Sequence, residues 1–310
     1  MKPLIGVTTS ELRGLGLAAA AAGTHPAAVW TETEVSMAPR YRMLEDTMRT
    51  LVRREPTMAL HVHVGVPDAQ DAVRLLNALR SILPVLLALS ANSPYSQRRD
   101  GGFACLRRVL FQAFPRTGTP RWFADYADYV DAVDGLVAPG AVPDPSFLWW
   151  DLRLQPRFGT VELRVMDAQS AVADIAPLVA LVQSFARLVL EGGFAPVLAE
   201  PEVVEENGFL AARDGMEARV IDPVTRQLVS VRQLLEPLLA SCRPHAVALG
   251  CAPELEEIGR LAACPGAQRQ RDSIAARAGF EGLVAALAEQ FTRGARFQRA
   301  VAASPVPAPL

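Results

Sequence analysis

TMALHVHVGV, residues 57–66, decides the fold. Apolar and polar residues alternate strictly along it: Leu60, Val62 and Val64 fall on one face, His61 and His63 on the other. That is the period of a strand with one buried face. TVELRVM, residues 160–166, repeats the pattern with Val161, Leu163 and Val165 opposite Glu162 and Arg164. FLWWDLRL, residues 147–154, reads as a third strand with Trp149, Asp151 and Arg153 on one face. Elsewhere the period is helical. Residues 68–83 carry Val73, Leu76, Leu79 and Ile82 on one stripe, entered through Pro67 and Asp68. Residues 171–190 read as a long apolar helix, residues 231–239 as the start of another, and residues 252–291 as helical with breaks at Pro265, Gly266 and Gly279. GLGLAAAAAG, residues 14–23, admits two readings, helix by its alanines and strand by its flanking glycines. Strands concentrated in the first half and helices in the second give an α+β class.

The 310 residues are half apolar with a formal net charge of −2, ample for a large core. Near-neutral charge argues against a nucleic-acid partner, because phosphate backbones demand a clustered basic field. Lys2 is the one lysine, so arginine is a compositional habit of this chain and not a selected replacement at each site. Four cysteines (Cys105, Cys242, Cys251, Cys264) form no CxxC pair and read as free thiols in a reducing compartment. No leader is evident, and the longest apolar stretch, residues 81–91, is too short to span a bilayer and contains Pro84. These features predict a cytoplasmic protein without a membrane partner. Residues 1–300 read as one domain and residues 301–310 as a flexible Pro-rich tail.

Two histidines two apart on a strand point the same way, roughly 6–7 Å from each other along the chain. Glu162 and Arg164 repeat the arrangement. Aligned in one sheet, these four place imidazole, carboxylate and guanidinium on one surface, where a cation and a phosphate would find partners. Solvated alternating residues explain the same pattern. The HxH spacing also suits zinc, though no HExxH or cysteine cluster accompanies it. SANSPYSQRRDGG, residues 90–102, follows an apolar helix with small and turn-forming residues. It either presents Ser90, Asn92, Ser93 and Arg99 to an anion or is a surface turn. Asn207 and Arg213 in ENGFLAAR admit a polar contact or a solvated helix face. His25, beside Pro26, reads as a turn residue. No GxxxxGK[ST], GxGxxG or GxSxG motif occurs.

In order, GTHP (23–26), HVHVG (61–65), ALSANSPY (88–95), RDGGFA (99–104), WWDLR (149–153), GTVELRVMD (159–167), ENGFLAARDG (206–215) and VIDP (220–223) resemble the type 2 glutamate–cysteine ligases. The resemblance covers residues 23–291. It implies a glutamine-synthetase-like fold, an antiparallel sheet packed against helices, and an ATP-dependent carboxylate–amine ligase working through an acyl phosphate with Mg²⁺ or Mn²⁺. It implies metal ligation by His61 or His63 with Glu162, and catalytic contacts from Arg164 and Arg99. Ser90, Asn92, Ser93, Arg107, Asn207 and Arg213 make up the expected substrate- and ATP-binding set. The expected partners are ATP and amino acids, with a homodimer in keeping with the family. Glu162→Gln is expected to abolish turnover and leave the fold intact. The family's opening GVEEEF-like strand has no counterpart in MKPLIGVTTSELR, residues 1–13, so N-terminal strands are expected to be missing. An inactive, nucleotide- or amino-acid-binding paralogue is the alternative.

Overall fold

Strict alternation in residues 57–66 and 160–166 becomes a pair of antiparallel strands at the centre of the molecule. The computed structural model describes residues 11–54, 57–195, 200–276 and 279–301. The expectations for residues 1–10 and for the tail from residue 302 lie outside the described residues. In chain order the elements are α1 (Pro39–Met48), β1 (Ala59–Gly65), α2 (Ala69–Ser90), β2 (Tyr95–Ser96), β3 (Arg99–Asp100), α3 (Leu106–Phe111) and α4 (Tyr126–Val137). Then follow β4 (Leu152–Gln155), β5 (Thr160–Asp167), α5 (Ile175–Leu190), α6 (Pro201–Asp214), β6 (Arg219–Ile221) and β7 (Leu228–Ser230). The chain continues through α7 (Val231–Leu249), α8 (Ala252–Glu256), α9 (Ile258–Ala263), α10 (Gly266–Ala276) and α11 (Phe280–Val301).

The main sheet has the order β1-β5-β4, antiparallel throughout. β4 is shorter than residues 147–154, because Pro145–Phe147 forms a 3-10 turn and only Leu152–Gln155 enters the ladder. Gly159, at φ +60, closes the β4–β5 connection in the left-handed region. Val161, Leu163, Leu152 and Leu154 are buried, with α2 packed on β5 and β4 and α5 on β1. The apolar stripe of α2 supplies the other half of this core: Leu75, Leu76, Leu79, Leu86 and Leu89 have no exposed surface. Each such side chain stabilises the fold by about 1.5–3 kcal/mol.

α2 begins as its sequence predicts, with the Asp68 side chain accepting from the Asp71 N–H at 2.9 Å. Its end differs, since the helix runs through Pro84 to Ser90. Proline lacks the N–H that would bond the Arg80 carbonyl, but burial on every side holds the helix together. By length and composition both Ala69–Ser90 and Val172–Leu190 could cross a membrane, yet 89% and 67% of their apolar windows are buried inside the fold. The apolar stretch is therefore longer than residues 81–91, and its faces are covered by the chain itself.

α7 starts with a full capping box, Ser230 with Gln233, and ends on Gly250 in the left-handed region. The breaks read at Pro265 and Gly279 separate α9, α10 and α11. Strands and helices are less segregated than expected, because the β6–β7 hairpin falls in the second half. Residues 17–22 are neither helix nor strand, but Gly23 behaves as strand: its N–H donates to Asn92 O, its carbonyl accepts from Met58 N, and Thr24 bridges Thr57. All four cysteines are free, with Cys105, Cys242 and Cys251 buried.

Candidate functional site

β1 and β5 pair with His63 opposite Glu162, so the alternating polar residues meet on one face of the sheet as their period predicts. On the other side β4 sets Arg153 opposite Glu162. Between Leu60 and Val62 the register shifts, so His61 alone spans Arg164 and Val165. This β-bulge brings His61 beside Arg164, Nδ1 to Nη1 at 3.5 Å.

Glu162 is the centre of the cluster and its side chain is 3% exposed. Oε2 accepts from Arg153 Nε and from Gln155 Nε2, both at 2.7 Å. Oε1 accepts from Arg164 Nη1 at 2.7 Å, with His61 Nδ1 at 3.3 Å and His63 Nε2 at 3.8 Å. Burial is the largest influence on this carboxyl and favours its neutral form. The Arg153 and Gln155 hydrogen bonds and the two guanidinium charges outweigh it and hold Glu162 at about 2. His61 moves down to about 4, first by loss of water and then by the Arg164 charge. It is a neutral imidazole at neutral pH, so its contact with Glu162 is not an ion pair there. His63 Nδ1 lies 3.0 Å from Thr160 Oγ1.

Arg164 lines a cavity. A pocket of about 460 Å³ lies between the sheet and the segment containing α1, walled by Tyr41, Met48, Phe111, Phe114 and Trp149 with Arg164 at its edge. The Arg164 Nε is buried and has no hydrogen-bond partner among the described residues. A guanidinium lining an aromatic-walled pocket fits an anionic group such as a phosphate. Metal fits less well. Among the described residues no group of three His, Cys, Asp or Glu side chains is arranged to hold a metal ion. Magnesium favours near-octahedral oxygen ligands, and both Glu162 oxygens already accept from Arg153, Gln155 and Arg164. The expected set of His61, His63 and Glu162 is thus brought together but is not a Mg²⁺ or Mn²⁺ site in this arrangement.

The other expected residues do not line the Arg164 pocket. Arg107 is buried and donates to the carbonyls of Arg164 and Val165, both at 3.1 Å, which fixes the backbone of the bulge. Ser90, Asn92 and Ser93 are fully buried. The Ser90 hydroxyl donates to Leu87 O and the Asn92 amide to Ala168 O and Ser170 Oγ, while the Ser93 hydroxyl donates to Asp167 Oδ2 at 2.6 Å. Asn207 clamps the Ile221 backbone through both its amide atoms at 2.7 Å. Arg213 pairs with Asp214 on the exposed side of α6. Arg99 is exposed on the β2–β3 hairpin. His25 is the turn residue its proline suggested, its Nδ1 accepting from Ala27 N and Ala28 N.

Sequence reading missed Gln155 and gave Arg153 no role, although both alternate along β4 toward Glu162. It also missed Asp167, which is fully buried. Asp167 accepts from Asn92 N at 2.8 Å, Ser93 Oγ at 2.6 Å and Cys105 Sγ at 3.2 Å, with Arg107 Nη1 at 3.7 Å. The network explains Gly23: a Cβ there would meet the Asp167 carboxyl group at 2.4–2.7 Å. Because that carboxylate is pinned from several sides, Gly23→Ala is expected to destabilise the chain by about 1–3 kcal/mol through overpacking, seen as a lower thermal midpoint.

Comparisons with known proteins bear on the family and the fold. The family model "Glutamate-cysteine ligase family 2(GCS2)" matches residues 5–301. A Rubrobacter xylanophilus protein, by name a candidate glutamate–cysteine ligase 2-1, is 37% identical over 291 residues, 93% of this chain and 77% of its own. A Gloeobacter violaceus protein, by name a candidate glutamate–cysteine ligase 2, is 37% identical over 266 residues, 84% of this chain and 72% of its own. In fold the chain resembles the glutamate–cysteine ligase of Francisella tularensis, solved in complex with AMP: TM-score 0.51, 11% identity, 86% of this chain and 68% of that one. It also resembles a bifunctional glutathione synthetase from Pasteurella multocida: TM-score 0.52, 18% identity, 73% of this chain and 32% of that one. With the family matched over nearly its whole length and the ELRV strand forming the centre of its polar face, the chain belongs to the glutamate–cysteine ligase family 2.

Proposed function

We propose that this chain is an ATP-dependent carboxylate–amine ligase, glutamate–cysteine ligase-like, acting in the cytoplasm on amino acids. The observation that carries the reading is Arg164, a cation that lines the aromatic-walled pocket and whose buried Nε has no partner among the described residues. ATP, when bound, would supply the phosphoryl group that turns a substrate carboxylate into an acyl phosphate, releasing ADP, and an amine would then attack the acyl carbon and displace phosphate to leave the amide. Arg164 offers that phosphoryl group a cation held in place beforehand, so charge gathering on its oxygens meets a guanidinium that needs no reorganisation. Glu162 and Arg153 orient Arg164 from the sheet, and Arg107 fixes its backbone. Neutral His61 stands beside it as a hydrogen-bonding group. No step is assigned to Mg²⁺ or Mn²⁺, because the donors present do not form its site. The Francisella protein's complex with AMP is in keeping with a nucleotide ligand here.

A second reading has its own support: Glu162 is saturated by arginine and glutamine donors, as suits a nucleotide- or amino-acid-binding protein without turnover. ADP release by the full chain from ATP with Mg²⁺, glutamate and a panel of amines separates the two. The ligase reading expects release that depends on both the carboxylate and the amine. It further expects Arg164→Gln to lower kcat by about 10²–10³-fold when assayed below the variant's own thermal midpoint, which falls because Glu162 loses a buried partner. A folded chain that binds nucleotide without releasing ADP would establish the binding protein, and full activity in Arg164→Gln would remove Arg164 from the chemistry.

A further inference from the structure

A second set of orphaned donors lies away from this pocket, between α2, α3 and α6. Arg80 is 4% exposed and its Nε donates to Pro120 O at 2.9 Å. Its Nη1 is buried without a partner among the described residues, as is the adjacent Ser81 Oγ. Arg108, also 4% exposed, spends Nη1 on Asp151 Oδ2 at 2.6 Å, while its Nε and Nη2 are buried without a hydrogen bond among the described residues. Half-exposed Glu205 comes no closer to Nη2 than 3.6 Å. All three residues line one cavity of about 30 Å³, together with Thr119 and Gly208. Gly208 admits the Arg108 guanidinium, since a Cβ there would meet Nη2 at 2.4 Å.

A buried guanidinium is ordinarily matched by a carboxylate, because an isolated charge in low dielectric is very costly. Arg108 has Asp151. Burial pulls the Arg80 pKa below its ordinary value, and no acid among the described residues opposes that pull. Arg108 therefore has buried Asp151 and, at 3.6 Å, the water-screened Glu205, whereas Arg80 has no acid among the described residues, leaving its charge and four unused donors around a space that holds one small species. A water would accept hydrogen bonds there but leave the charge in place. A tetrahedral oxyanion exceeds the volume.

We propose that this cavity is a binding site for one monovalent anion of halide size, held by Arg80 Nη1, Ser81 Oγ and the Nε and Nη2 of Arg108. The site ties α2 to α3 and α6 and stands independently of the ligase reading. Thermal unfolding of the full chain in sodium chloride, compared with sodium gluconate at equal ionic strength, tests it. At about 0.1 M chloride, a site with a Kd of about 10 mM stabilises the chain roughly tenfold, a midpoint rise of about 2–4 °C. Arg80→Met is expected to abolish the difference between the salts, and Ser81→Ala to reduce it. Crystals soaked in bromide are expected to show an anomalous peak between Arg80, Ser81 and Arg108, a readout that holds even if Arg80→Met fails to fold. Equal midpoints in the two salts, the same chloride shift in Arg80→Met, or a cavity without anomalous signal would each overturn the proposal.

Discussion

Glu162→Gln is expected to cost about 3–5 kcal/mol of folding stability, measured as a lower urea midpoint with unchanged slope. The sequence alone suggested that this change would silence the enzyme and spare the fold. The structure revises that expectation, because the carboxylate is the common acceptor for Arg153, Arg164 and Gln155 on a buried sheet face. An amide carries no charge to balance two guanidinium groups, and its NH₂ would face one donor head-on. The same arrangement sets a pH signature. Glu162 is held at about 2 in the fold against an ordinary 4.5, so its contribution is fully present above about pH 4.5 and is lost as pH falls through about 2. An acid titration of stability should be steep across that window in the natural chain and flatter in Glu162→Gln. A variant as stable as the natural chain would mean that the arginines find other partners.

Asp167→Ala is expected to be of similar size, about 3–5 kcal/mol, for a different reason. It leaves the Ser93 hydroxyl, the Asn92 N–H, the Cys105 thiol and the Arg107 guanidinium without their shared acceptor in a site with no exposure. Asp167→Asn keeps an acceptor oxygen and is expected to cost less than half as much in the same urea experiment. The pH sign is opposite to that of Glu162. Burial raises the Asp167 pKa above 3.8, outweighing the Arg107 charge and the hydrogen bonds. Its contribution is complete below about pH 3.8 and is lost as pH rises through the folded value. Asp167→Asn should remove that decline. Because Arg107 also holds the Arg164 and Val165 carbonyls, the damage should reach the polar face. Asp167→Ala retaining full stability would show that the network is not needed.

Local periodicity made the sheet legible. Alternation in HVHV and VELRV placed His61, His63, Glu162 and Arg164 on one side and the apolar set on the other, and the ladder obeys it. Alternation does not say which donors reach which acceptor. Arg153 and Gln155 stand two apart on β4, but their convergence on Glu162 depends on the register of a hairpin closed by Pro156 and Gly159. The bulge at Arg164 was equally unreadable, since a register shift leaves no trace in the period of one strand. Ser90, Asn92 and Ser93 looked like ligand-facing loop residues because they are small and polar. The Ser93 hydroxyl and the Asn92 N–H are buried on Asp167, the Asn92 amide on Ala168 and Ser170, and the Ser90 hydroxyl on its own helix at Leu87; Asp167 is distant in sequence, and only the packed fold brings the two segments together. The wall of the Arg164 pocket formed by α1 likewise rests on long-range packing, which no pattern in residues 39–48 announces.

The burial of the thiols has a practical consequence. Cys105 lies against Asp167 with its pKa pushed far up by burial, and burial pushes Cys242 on α7 up to about 12. Cys251 is buried at the start of α8, leaving Cys264 as the one partly accessible thiol. Alkylating reagents attack thiolates, so the folded chain should offer them little beyond Cys264. The three silent sulfurs then act as clocks placed at the sheet, in α7 and beside α8. Each is wound by the folding of its own surroundings and runs only while those surroundings are open.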